Sequence, residues 1–207
     1  MQLQNYYYWF KDAIPHHVCD DIVRYAKSIQ DQMAVTGGYG DKKLNKKEVQ
    51  DLKKKRDSDI VWLNERWIYN AIHPYIHAAN KDANWNFQWD FSESCQFTKY
   101  KKGQYYDWHC DSWDRPYNQP NTPSHGKQRK LSVTLSLSSD KEYKGGELEF
   151  DMRNHDPDKK ANTHVLKEIR SKGSLVVFPS DVWHRVKPVK SGIRHSLVIW
   201  NLGWPFK

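Results

Sequence analysis

The order of apolar and polar residues along the chain divides it into a helical first part and a β-rich second part. Tyr6–Phe10 is a short aromatic run that predicts a first strand. Pro15 then opens a helix in which Val18, Ile22, Tyr25, Ala26 and Ile29 recur near the 3.6-residue period. Asp20 and Asp21 are expected in its first turn, where carboxylates suit the positive end of the helix dipole. Gly37, Gly38 and Gly40 close that region, and the charged stretch Asp41–Asp57 reads as a mobile loop or a short polar helix. Ile60–Leu63 predicts a short apolar strand. Asn64 is placed to cap a second helix bearing Trp67, Ile68, Ala71, Ile72, Tyr75 and Ile76, with Pro74 positioned to kink it.

After Asn84 the period falls to two. Trp85, Phe87, Trp89 and Phe91 alternate with polar residues, as do Leu131, Val133, Leu135 and Leu137. Gly145-Gly146 leads into Glu147–Phe150, and Ser174–Phe178, Trp183–Val186 and His195–Leu202 predict further strands. Ser112–Lys127 and Met152–Ala161 read as long loops, a length often given to lids and binding segments. Two helices followed by many short strands predict an α+β domain with a β-sandwich or barrel core. The division falls near residue 83, with helical support about 1–83 and the β core about 84–207, inside a single domain.

Composition narrows this picture. A chain of 207 residues is long enough for one domain with a proper core, and ten Trp, twelve Tyr and seven Phe supply large buried area at a modest 38% hydrophobic content. The net charge of +8 is concentrated in Lys42–Arg56 and Lys159–Lys172, which favours acidic partners without specifying any. Cys19, Cys95 and Cys110 have no CxxC spacing and are odd in number, so they read as ordinary thiols in a reducing compartment. The opening MQLQNYYYWFKDAIP lacks a leader pattern and no apolar run approaches the ~18 residues of a membrane span, so a soluble, cytoplasmic protein is expected.

The chemistry sits in Tyr105–Asp111, YYDWHCD. On a strand, His109 and Asp111 project from one face and can offer an imidazole nitrogen and a carboxylate oxygen to a single cation. His184, in FPSDVWHRV, is the best third ligand, and two His with one carboxylate is the facial arrangement of non-haem Fe(II) oxygenases. Arg194 and Ser196 lie ten and twelve residues past His184 on one face of a strand, where a guanidinium and a hydroxyl can grip a distal carboxylate. Trp108 and Trp183 precede the two His and are expected to face the opposite way, into core packing. Trp113, Asp114, Arg115 and Tyr117 follow the metal pair on a loop suited to facing substrate. His125, His155, His164 and His195 lack paired spacing and read as surface or core residues.

In combination, RDSDIVWL (Arg56–Leu63), QFTKYKKGQYYDWHCD (Gln96–Asp111), GGELEF (Gly145–Phe150) and FPSDVWHRVKPVKSGIRHSLVIW (Phe178–Trp200) resemble the prolyl 4-hydroxylase-type branch of the 2-oxoglutarate/Fe(II) dioxygenases, small microbial and phage-type members above all. The resemblance runs from about Ile14 to Trp200. It implies a distorted double-stranded β-helix core (jelly-roll, cupin-like) with supporting N-terminal helices. It places His109, Asp111 and His184 on the family's iron ligands, Arg194 on the basic partner of the 2-oxoglutarate distal carboxylate, and Tyr100 and Ser196 beside the co-substrate. It further implies Fe(II), 2-oxoglutarate and O2 as cofactors, L-ascorbate as a reductant, and hydroxylation of an unactivated C–H bond.

A peptide substrate, with proline first, follows from that likeness and from the aromatic content. A nucleic-acid oxygenase is the competing reading from the basic charge. However, alkylation-repair relatives favour Asn two residues after the co-substrate arginine and a second arginine six residues after it, where this chain has Ser196 and Trp200. A free amino acid or other small molecule stays open as substrate, and so does a silent metal-binding module. Nothing in the sequence sets the oligomeric state.

Overall fold

The computed structural model describes residues 5–34, 44–153 and 160–206. Gly37, Gly38, Gly40, His155 and most of the Met152–Ala161 segment lie outside the described residues. Among the described residues three α-helices and fifteen strands follow one another, many of the strands short. The first part holds β1 (Tyr8–Phe10), α1 (His16–Lys27), β2 (Gln32–Met33), α2 (Lys46–Lys55), β3 (Arg56–Asp57), β4 (Asp59–Leu63) and α3 (Arg66–Asp82). Then come β5 (Phe91–Ser92), β6 (Cys95–Tyr100), β7 (Tyr105–His109), β8 (Gln128–Ser136), β9 (Tyr143–Gly145), β10 (Leu148–Asp151) and β11 (Thr163–Val165). A single 3-10 turn at Glu168–Arg170 precedes β12 (Leu175–Pro179), β13 (Trp183–Val186), β14 (Val189–Gly192) and β15 (Arg194–Gly203).

The strands build an eight-stranded sheet in the order β1-β12-β8-β15-β6-β4-β2, with β5 also paired to β15. A five-stranded sheet, β11-β10-β13-β7-β3, and the ribbon β14-β9 complete the set. Two antiparallel sheets with helices covering one outer face make an α+β jelly roll, as the sequence pattern and the resemblance predict.

Alternation along the large sheet separates its two faces. Leu131, Val133 and Leu135 of β8 and Leu197 and Ile199 of β15 pack with Ile22 of α1 and Ile68, Ile72 and Ile76 of α3 in one buried cluster. Ser132, Thr134 and Ser136, and Ser196 beside Leu197, occupy the in-between positions and are buried as well. A smaller apolar cluster, with Phe150, Phe178, Val176 and Val186, closes the space between the two sheets. The inner face of the large sheet is thus polar and dry, a costly arrangement unless those groups find partners.

Several local expectations change. Of the two readings of the charged stretch, the short polar helix holds over Lys46–Lys55: Asn45 caps α2 through a reciprocal capping box with Glu48, and Leu52 is its buried residue. α1 has no acidic residue in its first turn; Asp20 and Asp21 come a turn later, paired with Lys172 and Arg24. Glu65, not Asn64, is the N-cap of α3, and the helix continues past Pro74 through Asp82. Residues 85–90 alternate in burial but form no strand, because Asn84 and Asn86 adopt positive φ of 59° and 53°. Asn80 holds this segment instead, donating to the Phe87 carbonyl and accepting from the Phe87 N–H. Among the described residues, no helix is long and apolar enough to cross a membrane.

His195 of β15 points to the helix side, stacked on Phe97 with only Ser138 as a hydrogen-bond partner. Burial pushes its pKa down to about 4, helped by Lys27, Lys99, Arg194 and Lys172. The folded chain keeps His195 neutral while an unfolded histidine protonates near 6.5, so stability is lost as pH falls from 6.5 towards 4. Urea unfolding at pH 7 and pH 5 should lose about 1–2 kcal/mol more for the wild type than for His195→Phe. An identical pH slope in the two proteins would remove His195 as a cause.

Candidate functional site

Antiparallel pairing sets His109, the last residue of β7, opposite His184 of β13, which in turn faces Phe150 of β10. Asp111 lies two residues beyond the end of β7. Its N–H and that of Ser112 both donate to the Ser180 carbonyl at 2.8 Å, fixing the chain where it leaves the sheet. The donor atoms of His109, Asp111 and His184 all lie within 4.8 Å of one another. His109 Nε2 is 3.8 Å and His184 Nε2 3.6 Å from the two Asp111 carboxylate oxygens.

Each imidazole is held by its other nitrogen. His109 Nδ1 meets the Asp107 carbonyl at 2.7 Å and His184 Nδ1 the Val182 carbonyl at 2.9 Å. Those carbonyls can only accept, so both Nδ1 atoms carry the hydrogen and both Nε2 lone pairs face Asp111. Burial pushes the His109 pKa down to about 3, with the His184 ring adding to it, which keeps the ring a lone-pair donor. Burial alone would raise the Asp111 carboxyl; His184, His109 and Arg129 outweigh it and hold it below the ordinary carboxylate range. Two imidazole nitrogens and one carboxylate converging without mutual hydrogen bonds are a donor set fit for a divalent transition metal.

The same cavity is lined on its far side by Tyr100, Thr98, Ser196 and Arg194, with Leu148, Val186 and Val198 as apolar wall. Arg194 is 3% exposed, donates to Ser196 Oγ at 3.0 Å and lies 5.4 Å from the Tyr100 ring centre. Among the described residues no carboxylate lies within 4.0 Å of its guanidinium. Arg194 pairs across the sheet with Tyr100, and Ser196 with Thr98, so these groups share a register. Gly146 approaches Arg194 from the ribbon: its φ is +64°, and a Cβ there would lie 3.0 Å from Arg194 Cδ.

Three further groups had no assigned role in the sequence. Arg56, 4% exposed, reaches into the cavity, held by Ser58 Oγ at 3.0 Å and Gln96 Oε1 at 2.5 Å and lying over Tyr106. Tyr106 stacks on His109 at 3.5 Å, and burial pushes its phenol up to about 12, so it stays a donor. Arg129 makes a two-pronged pair with Glu93 at 2.8 and 2.6 Å, packs on Trp200 at 3.8 Å and reaches the Asp111 carbonyl at 3.4 Å. The available signals were the buried-strand setting of RDSDIVWL and a lone arginine heading the apolar β8.

The loop residues separate. Tyr117 donates to Glu93 Oε1 at 3.1 Å and Trp113 Nε1 meets Tyr117 at 3.4 Å, which ties the loop to the Arg129 pair. Arg115 is 87% exposed at its side chain and meets only Asp114, at 3.8 Å, so the structure does not bring it to the cavity. Trp108 and Trp183 do face away from the triad, but not into a core: Trp183 is 39% exposed and Trp108 stacks with Arg185. Of the described helices only α2 reaches this sheet, at β3 and β7, where Tyr105 donates to the Lys54 carbonyl, and Trp183 keeps part of its ring open to solvent. His125 and His164 are exposed, and the three cysteines are free.

Fold and site together define a jelly roll with a His-Asp-His cluster and a buried arginine in one cavity. Residues 95–201 match the family model of the 2OG-Fe(II) oxygenase superfamily, and the chain belongs to that family. It is 34% identical over 105 residues to a PKHD-type hydroxylase of Shewanella baltica, covering 50% of this chain and 40% of that protein. It is 36% identical over 99 residues to a PKHD-type hydroxylase of Synechococcus, covering 47% and 36%. The chain therefore spans less than half the length of these curated relatives. Among solved structures, a viral collagen prolyl hydroxylase from Paramecium Bursaria Chlorella virus-1, as its 2OG complex, superposes with TM-score 0.64 at 19% identity, covering 97% of both chains. A Pseudomonas putida prolyl-4-hydroxylase gives 0.61 at 18%, covering 96% and 92%. At such identity these two likenesses speak for the fold.

Replacing Glu93 by Gln leaves Arg129 buried without its counter-charge and should cost about 1–3 kcal/mol in urea unfolding, allowing for partial exposure of the pair. The double replacement Glu93→Met with Arg129→Met should recover much of that loss. Full stability of Glu93→Gln alone would mean the pair does not hold the Asp111 segment.

Proposed function

We propose that this chain is an Fe(II)- and 2-oxoglutarate-dependent dioxygenase that hydroxylates a C–H bond of a peptide, with peptidyl proline the first candidate. The observation that carries the reading is a carboxylate-free buried Arg194 in the same cavity as the His109, Asp111 and His184 cluster. His109 and His184, through Nε2, and Asp111 would hold the iron. When bound, the metal would supply oxygen activation coupled to conversion of 2-oxoglutarate to succinate and carbon dioxide, one oxygen atom going to succinate and one to the substrate.

The remaining work belongs to the chain's own residues. Arg194 and Ser196 would grip the distal carboxylate of 2-oxoglutarate, with Tyr100 packed beside the guanidinium. Leu148, Val186 and Val198 keep water from the cavity. Arg56 and Trp200 line the cavity beside the triad, the Tyr117–Trp113 segment is tied to it through Glu93 and Arg129, and Trp62 and Trp200 offer neighbouring rings 6.2 Å apart to an apolar chain. Support for a peptide comes from solved relatives: one is a collagen prolyl hydroxylase, and one, from Trichoplax adhaerens, is a prolyl hydroxylase in complex with a peptide fragment of hypoxia inducible factor. L-ascorbate would serve as reductant. A nucleic-acid substrate is supported only by the lysines of α2, which lead directly into Arg56.

Succinate release from 2-oxoglutarate, screened with proline-rich peptides, oligonucleotides and free amino acids, tests the reading. A peptide gaining the mass of one oxygen, with turnover reduced more than about 100-fold in His109→Ala, is expected. Arg194→Met should raise the KM for 2-oxoglutarate about 10–100-fold while Fe(II) binding persists. Salt-sensitive turnover with oligonucleotides alone would shift the substrate to nucleic acid, and no succinate from any pool would sink the enzyme reading. Gly146→Ala should also weaken 2-oxoglutarate binding, by roughly 3–10-fold, since the added methyl crowds Arg194 and strains a left-handed residue. Unchanged affinity in that variant would detach Arg194 from the co-substrate.

A further inference from the structure

A second cavity, of about 750 Å³, shares no lining residue with the triad cavity. Five rings line it, Trp85, Phe87 and Trp89 from the segment after α3 and Trp204 and Phe206 from the segment after β15, with Asn86 and Gln88 between them; Trp85 and Phe87 are largely turned into the core. The two walls come together at Gly203, where a Cβ would lie 2.1 Å from the Gln88 carbonyl oxygen, so only glycine allows the approach. Trp204 and Phe206 are 61% and 52% exposed, which leaves large ring surfaces open.

Two cations lie against these rings: Lys127, 5.8 Å from the Trp204 ring centre and already paired with Asp90, and Lys130, which has no such partner. Lys130 is 3% exposed, and its ammonium is 3.1 Å from the Phe206 ring centre. Among the described residues it has no hydrogen-bond acceptor and no carboxylate within 4.0 Å. The one carboxylate lining the cavity, Asp90, is taken by Lys127 at 2.8 Å. The sheet itself puts Lys130 there. Asn201 pairs with Leu131 and Leu202 with Arg129, so one step on β15 spans two on β8 and Lys130 is the extra residue of a bulge. Arg129 therefore serves the triad side while its neighbour lines the other cavity. Burial pushes the Lys130 amine down to about 8, which leaves the ammonium the majority form at neutral pH.

A buried cation is costly without an anion, and a ring face offsets only part of that cost. The volume falls in the range of small-molecule sites, about 300–1,000 Å³. We propose that this cleft is a second ligand site, which takes a flat aromatic carboxylate whose anionic group pairs with Lys130 and whose rings pack on the Trp85, Phe87, Trp204 and Phe206 faces. Ring walls select a planar apolar body, and a single unpaired cation selects a single carboxylate. A polypeptide occupant would instead need a row of backbone donors and acceptors along the walls. The proposal does not depend on the oxygenase reading.

Calorimetric titration of the full chain with 2-naphthoate tests it, with saturating 2-oxoglutarate present to occupy the Arg194 cavity and 2-naphthol as the uncharged comparator. Saturable one-to-one binding is expected, at least about tenfold tighter for the naphthoate. Lys130→Met should erase that preference while Arg194→Met keeps it. Indole N–H resonances of Trp85 and Trp204 should shift on titration in the wild type, a readout that stands even if Lys130→Met fails to fold. No saturable binding, equal affinity for naphthoate and naphthol, displacement by 2-oxoglutarate, or indole signals that do not move would each overturn the proposal.

Discussion

The site depends on one constraint, the antiparallel register that sets His109 of β7 opposite His184 of β13. A slip of one residue along either strand would turn that imidazole out of the cavity and bring an indole, Trp108 or Trp183, in its place. The register is held from both sides. Phe150, fully buried, lies across from His184 on β10 and in contact with Phe178, so β13 cannot slide without opening the smaller core. Past the end of β7 the two N–H groups of Asp111 and Ser112 close on the Ser180 carbonyl, so backbone bonds fix the point from which the carboxylate reaches the two His and Ser132.

Charge accounting follows from that placement. The cavity buries two guanidiniums, Arg56 and Arg194, satisfied by hydroxyl, amide and ring faces but by no carboxylate among the described residues. Arg129, on the neighbouring strand, is fully matched by Glu93. The contrast matters because a buried ion pair that is complete contributes geometry, while an incomplete one holds a standing attraction for an anion. Among the described residues the second kind stands against a cavity wall: Arg56 and Arg194 line the cavity that contains the triad, and Lys130 lines the other.

Much of this was legible in the sequence, and the reason is period. The two-residue alternation of β8 and the tail of β15 carried both the strand assignment and the division into a helix-facing and a polar face. The 3.6-residue stripe did the same for α1 and α3. The convergence of His109, Asp111 and His184, and the place of Arg194 and Ser196 in the same cavity, were legible because within each short stretch a spacing of two residues translates into a shared side. Residues 85–90 deceived because alternating burial needs only an extended chain, whereas a strand also needs a partner, and Asn84 and Asn86 turn the backbone away from one. Trp108 and Trp183 deceived for another reason: their direction was read correctly, but sequence does not say whether the far face of a sheet has a layer over it.

The residues that escaped altogether lie where the period breaks. Between Tyr106 and His109 the chain takes three steps while β13 takes two, from Val186 to His184. That bulge turns Tyr106 to the same side as His109 and stacks the two rings, although a regular strand would put residues three apart on opposite faces. The same device in β8 directs Arg129 to the triad side, against Glu93 and Trp200, and Lys130 to the other cavity. A strand without bulges can present chemistry only at every second residue. Inserting one residue lets adjacent or odd-spaced side chains serve a site, at the cost of one unpaired backbone position. Alternation, the strongest signal in the sequence, is therefore silent where a sheet protein departs from it to build its cavities.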